Sequence, residues 1–273
     1  MTEIESGLAL IESTFAQARR QNRATLMPYV PLGYPTPEAS LELAQVAVAN
    51  GADILELGIP FSDPVADGPV IEHATQVALK QGMTTTACLE QVRELRQRGV
   101  TVPLMLMGYY NPILAYGETA FCRDSRAAGA SGLIVPDLPP EEGTALERAC
   151  QQNGMAMSYL LAPTSTHSRI RIVHMRSTGF IYLVSVTGVT GARDELSLDI
   201  VDFVQRVRAE SNQSLAVGFG ISTPQQASQV AAIADGVIVG SALVQLMVYT
   251  DWKARTGKFI AALRQAMIRS TNR

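Results

Sequence analysis

Eight short apolar runs, each followed by a stretch with helical spacing, constrain this 273-residue chain more than any other feature. The runs are Leu26–Val30, Asp53–Leu57, Val102–Met107, Gly132–Val135, Ala156–Leu161, Phe180–Val184, Leu215–Gly218 and Gly236–Val239. They are rich in Val, Ile, Leu and Met, as strands covered on both faces must be. With 47% apolar and only 17% charged residues, the composition suits many such strands. The intervening stretches carry their own start and stop signals. Thr36-Pro37 opens a helix over 38–50 and Gly51 stops it, the usual proline-first, glycine-last asymmetry. Further helices are expected over 86–98, 118–128, 141–153, 166–176, 198–210 and 224–234. A strand followed by a helix, eight times over, predicts an α/β chain forming a closed parallel (β/α)8 TIM barrel, as one domain over 1–273; an open doubly wound sheet is the alternative. No glycine fingerprint of the dinucleotide type follows the first strand.

The two ends add helices. Leu8, Ile11 and Phe15 share a face, predicting an extra N-terminal helix across the barrel's N-terminal mouth, and Phe259, Leu263 and Met267 form the face of the last helix. A net charge of −3 leaves no basic field for nucleic acid or anionic lipid. Cys88, Cys122 and Cys150 are widely spaced and odd in number, fitting neither a disulfide framework nor a zinc site. The segment Met1–Arg23 lacks a signal-type apolar core and no run approaches a membrane span, so a cytoplasmic, unprocessed chain with no membrane contact is the expectation.

In such a barrel reactive groups belong at the C-terminal strand ends and the loops after them. Glu56 sits at such an end, among Ile54, Leu55 and Leu57, where an ionised acid is costly unless paired. It is either a structural acid satisfied by partners or a general acid–base whose pKa is lifted by burial and by neighbouring aspartates. Strand alternation turns Glu56 and Ile54 inward and Leu55 and Leu57 outward. The loop that follows carries Asp63 and Asp67 between Pro60, Pro64 and Pro69, with Gly58 and Gly68 giving tight turns. Across the mouth, Val217–Pro224 and Val237–Ala242 run through glycines into helices after strands seven and eight, where backbone amides and a helix N-terminus can receive phosphate. Ser185–Arg193, with Gly188 and Gly191, reads as a lid or as a plain linker.

Absences narrow the chemistry. Lys80, Lys253 and Lys258 lie away from the strand ends, so a Schiff-base aldolase lacks its nucleophile. His73, His167 and His174 have no metal-ligand spacing with nearby acids, and no nucleophile elbow is present. Carboxylate acid–base chemistry on a phosphorylated small molecule remains, with neither metal nor cofactor expected.

The segments Glu56–Pro69 and Tyr182–Gly191, with Pro28–Pro35 and Gly240–Ala242 marking the extent, make the chain closely resemble the tryptophan synthase alpha subunit family over nearly its whole length. The resemblance implies retro-aldol cleavage of indole-3-glycerol phosphate to indole and glyceraldehyde 3-phosphate, late in tryptophan biosynthesis. It implies Glu56 and Asp67 as the catalytic pair. Asp67 would accept a hydrogen bond from the indole nitrogen, and Glu56 would handle protons at indole C3 and at the glycerol hydroxyl. By the same resemblance Phe219, Gly220, Gly240, Ser241 and Gly191 hold phosphate, Tyr182 stands near the glycerol chain, and Tyr29, Met107, Ile134 and Phe219 line the indole site. Thr190 would close over Asp67. Val186 departs from relatives that carry arginine there, which puts a lid salt bridge in doubt.

The family also implies a beta subunit partner in an alpha2-beta2 assembly, facing Pro60, Asp63, Asn111, Leu114 and Pro139. Three other readings stay open: another phosphate-binding barrel enzyme, a catalytically silent activator of a beta subunit, and a stand-alone indole-releasing lyase.

Overall fold

The computed structural model describes residues 6–184, 198–218 and 220–269. Among them run nine strands: β1 Thr25–Pro31, β2 Leu55–Gly58, β3 Leu104–Met107, β4 Gly132–Ile134, β5 Ala156–Ser158, β6 Leu160–Leu161, β7 Ile181–Val184, β8 Leu215–Gly218 and β9 Gly236–Val239. Their order is β5-β4-β3-β2-β1-β9-β8-β7-β6, and every pairing is parallel. Tyr159 alone separates β5 from β6, so the two ends of that order are one stretch of chain and the sheet closes into a barrel. The expected single strand Ala156–Leu161 breaks there because it changes partner. Ala156–Ser158 pairs with β4, whereas the Tyr159 carbonyl accepts from the Tyr182 amide of β7 at 3.0 Å.

The helices are α1 Gly7–Arg20, α2 Pro37–Ala49, α3 Pro69–Lys80, α4 Thr85–Gln97, α5 Tyr110–Tyr116, α6 Glu118–Ala128, α7 Thr144–Gln152, α8 His167–Arg176, α9 Leu198–Glu210, α10 Pro224–Ile233, α11 Ser241–Leu246 and α12 Trp252–Ala266. The cap signals work as the sequence implies. Thr36 Oγ1 accepts the Ala39 amide at 3.1 Å and Thr223 Oγ1 accepts that of Gln226 at 3.2 Å, each satisfying a donor that the first turn leaves free. The helix expected over 141–153 is instead a 3-10 turn, Pro140–Glu142, followed by α7. The break is at Gly143, where a Cβ would fall 1.8 Å from Tyr159 Oη, so the phenol occupies the space a side chain would need. Helices α3 and α5 were not anticipated, whereas α11 is the helix expected after the last strand.

Alternation along the strands sorts the core into two layers. Met27, Ile54, Met105, Ile134, Ala156, Phe180, Tyr182, Ala216 and Ile238 fill the barrel interior together with Ile11 and Phe15 of α1. Leu55, Leu57, Leu104, Leu106, Val217 and Val237 point outward into the layer under the helices. Helix α1 therefore plugs the N-terminal mouth, with the Phe15 and Phe180 rings 5.7 Å apart. Gly7 permits the close approach, since a Cβ there would stand 2.3 Å from the Ser131 carbonyl oxygen.

At the same end Asp53 accepts from Arg23 at 2.7 and 2.8 Å, from the Leu26 amide at 2.8 Å and from Arg264 at 3.1 Å, tying β1, the entry to β2 and α12 together. The cysteines are free and buried, with no disulfide among them. Although distant in sequence, Cys122 and Cys150 meet between α6 and α7 with their sulfurs 3.7 Å apart, as buried free thiols. Among the described residues, no helix is long and apolar enough to cross a membrane.

Candidate active site

Glu56 is the second residue of β2, and the register sets it beside Tyr29 of β1 and Met105 of β3. Its neighbours Leu55 and Leu57 face the outer layer and Ile54 the interior, so the carboxyl points into the barrel above Ile54. It is only 1% exposed. Burial pushes its pKa up to about 8; the charge of Asp67 adds to the rise, and a hydrogen bond from Tyr182 opposes it. The other carboxyl oxygen, Oε2, is buried without a hydrogen-bond partner. At neutral pH this group holds its proton, and one of its carboxyl oxygens is buried without a partner. A satisfied structural acid has neither property.

Asp67 is half-buried in the loop between β2 and α3. Its pKa is raised by burial, lowered by a hydrogen bond from Tyr109, and raised by the nearby Glu72. Tyr109, which the sequence reading did not single out, is a hinge of this arrangement. Its hydroxyl accepts the Ala66 amide at 2.9 Å while bonding Asp67, and its ring lies 5.4 Å from that of Phe61. The signal was available: Tyr109 follows β3 by two residues, at the barrel end where reactive groups gather. Asp63 is exposed, accepting from Ser62 Oγ at 2.5 Å, apart from the acid pair.

Two phenols flank Glu56. Tyr182 of β7 bonds it, and lies across Gly218 of β8, where a Cβ would be 2.9 Å from its hydroxyl. Tyr29 lies across Gly58. Burial raises the pKa of both tyrosines, and the two acids add to the effect, so both phenols stay protonated. Ile134 is fully buried in the interior cluster at the end of β4, and Met107 packs against that cluster half-buried at the end of β3.

Across the mouth, β8 and β9 pair at Val217 and Val237, which brings their following turns side by side. Gly220 is exposed with φ +65°, a conformation that favours glycine, and Gly240 leads directly into Ser241 at the start of α11. Thr190, Gly191 and Phe219, with Val186 and Gly188 of the expected lid, lie outside the described residues. The five residues assigned to a partner surface fall on the loops and short helix after β2, β3 and β4. Asp63, Asn111 and Leu114 are exposed, Leu114 at 53%, and Pro60 and Pro139 are half-buried. The three lysines are on α3 and α12, away from the mouth.

A family model described as "Tryptophan synthase alpha chain" matches residues 15–268. The chain belongs to the tryptophan synthase alpha chain family. A tryptophan synthase alpha chain of Dehalococcoides mccartyi is 48% identical over 247 residues, covering 90% of this chain and 96% of that one. Among solved structures, a tryptophan synthase from Mycobacterium tuberculosis superposes with a TM-score of 0.89 at 39% identity, covering 95% of this chain and 98% of that one. The tryptophan synthase subunit alpha from Legionella pneumophila gives 0.86 at 38% identity, with 94% and 98% covered. The fold is thus the TIM barrel of that family. The family's reaction is the cleavage of indole-3-glycerol phosphate, a lyase step in tryptophan biosynthesis, and the family works with a beta subunit.

Proposed function

We propose that Glu56 and Asp67 carry the carbon–carbon cleavage of indole-3-glycerol phosphate in this chain, without metal or cofactor. The observation that carries the reading is Glu56: buried, protonated at neutral pH with a pKa pushed up to about 8, and unpartnered at Oε2. Cleavage at indole C3 begins when that carbon takes a proton. A neutral carboxylic acid can give it, and the carboxylate left behind then accepts the proton of the glycerol hydroxyl as the bond breaks. The positive charge that spreads to the ring nitrogen needs an anion beside it, and Asp67, held by Tyr109, supplies one.

Gly220, Gly240 and Ser241, with Phe219 and Gly191, hold the phosphate through backbone amides and the start of a helix. Tyr182 stands by the glycerol chain. Tyr29, Met107, Ile134 and Phe219 receive the ring, and Thr190 closes over Asp67. Pro60, Asp63, Asn111, Leu114 and Pro139 face the beta subunit in an alpha2-beta2 assembly in the cytoplasm. The exposed Leu114, together with Val65 at 83% exposure on the loop carrying Asp67, supports a partner on this side.

The test is indole formation from indole-3-glycerol phosphate by the wild type and Glu56→Gln, each with and without a beta subunit. Loss of turnover in the variant under both conditions is expected. Near-wild-type turnover in the variant would overturn the assignment, and wild-type turnover that ignores the partner would favour a stand-alone lyase.

A further inference from the structure

Tyr29 is held by glycines on both sides. On β2, a Cβ at Gly58 would lie 2.0 Å from the Tyr29 hydroxyl oxygen, 2.4 Å from Cζ and 2.8 Å from Cε2. Beyond β9, a Cβ at Gly240 would lie 3.4 Å from Tyr29 Cβ. The ring thus runs from the turn at Gly240 to the strand end at Gly58, two residues beyond Glu56. Only glycine at 58 leaves room for the phenol tip. A phenylalanine would fill nearly the same trough, so the hydroxyl needs an explanation of its own.

The direction of the ring supplies one. On the reading of the site given above, phosphate sits at Gly240 and Ser241, and the bond to be broken lies beside Glu56. The three-carbon chain must span that interval, alongside Tyr29. We propose that the Tyr29 hydroxyl is a specificity-determining hydrogen-bond donor to the hydroxylated three-carbon chain of the substrate, its place secured by Gly58. The residue therefore does more than form an apolar wall for the ring. A phenol there recognises a polar chain and discriminates against one lacking hydroxyls, because a chain without them leaves the donor unmatched.

The experiment compares wild type with Tyr29→Phe, which removes one oxygen and keeps the ring that fills the trough. Two probes are used: steady-state cleavage of indole-3-glycerol phosphate in the presence of the beta subunit, and inhibition by indole-3-propanol phosphate, which has the same ring and phosphate but no chain hydroxyls. The expected result is a fall in kcat/KM on the order of tenfold, the worth of one neutral hydrogen bond. It should be carried mainly by KM, while the inhibition constant of the hydroxyl-free analogue changes by less than about twofold. An unchanged KM overturns the proposal, as do equal losses for substrate and analogue, which would mark Tyr29 as packing alone. If the wild type releases no indole, the reading of the site itself falls and this one with it; an active wild type with an unaffected Tyr29→Phe sinks only this inference.

Discussion

Replacing Glu56 by glutamine should stabilise the protein at alkaline pH, and the size of the gain follows from where the side chain lies. The carboxyl is fully buried and its pKa rises from 4.5 to about 8, mainly because burial disfavours the charged form. Between those two values the folded state holds a proton that the unfolded state has released. Stability therefore falls as pH rises from about 4.5 to about 8, and levels off above. At about 1.4 kcal/mol for each pH unit, the full penalty has a ceiling on the order of 5 kcal/mol. Glutamine keeps the shape and can still pair with Tyr182 but does not ionise. Urea denaturation of wild type and variant at pH 5, 6, 7, 8 and 9 measures the difference directly. The variant should gain a few kcal/mol over wild type across that range, with most of the divergence below about pH 8. Stability curves that stay parallel from pH 5 to 9 would refute the argument, since they would mean that Glu56 has the same proton affinity folded and unfolded.

The same proton has a kinetic signature: if protonated Glu56 starts the reaction, kcat/KM declines above about pH 8, and a profile flat to pH 9.5 would remove it from that role. Tyr109→Phe takes away the hydrogen bond to Asp67 and the acceptor for the Ala66 amide, and should lower kcat about 10- to 100-fold, as expected for a bond to a charged group. Measured in single turnovers, a loss smaller than about twofold would show that Asp67 does not depend on it. At the opposite end of the barrel, Asp53→Asn leaves the buried Arg23 guanidinium short of its counter-charge and should cost about 3 kcal/mol without changing KM. A denaturation midpoint matching the wild type would contradict that.

The candidate site was legible because its chemistry is dense. An acid inside an apolar strand and glycine turns after two consecutive strands are visible without coordinates. The expected helices with strong caps, such as the one opened by Thr36-Pro37, form within a residue or two of their expected bounds. Helix α3 escaped notice because Pro60, Pro64 and Pro69 lead into it and make the stretch look like loop, although its buried face, Ile71, Ala74, Thr75 and Ala78, keeps helical spacing. Helix α5, of seven residues, is too short to set up a period, and Asn111-Pro112 inside it looks like a turn.

By itself the sequence determined the eightfold alternation, the inward direction of Glu56 and the family to which the chain belongs. These follow from periods of two and 3.6 residues and from local motifs, which neighbouring residues carry in full. Only the tertiary structure decided how the barrel closes, by a change of strand partner across Tyr159, and why α7 begins after Gly143, where that same tyrosine fills the space. It also decided that Tyr109 holds Asp67 and that Gly58 makes room for Tyr29. Each of these depends on atoms from different strands reaching the same few cubic ångströms, a condition set by strand register and ring closure that no local stretch of sequence contains.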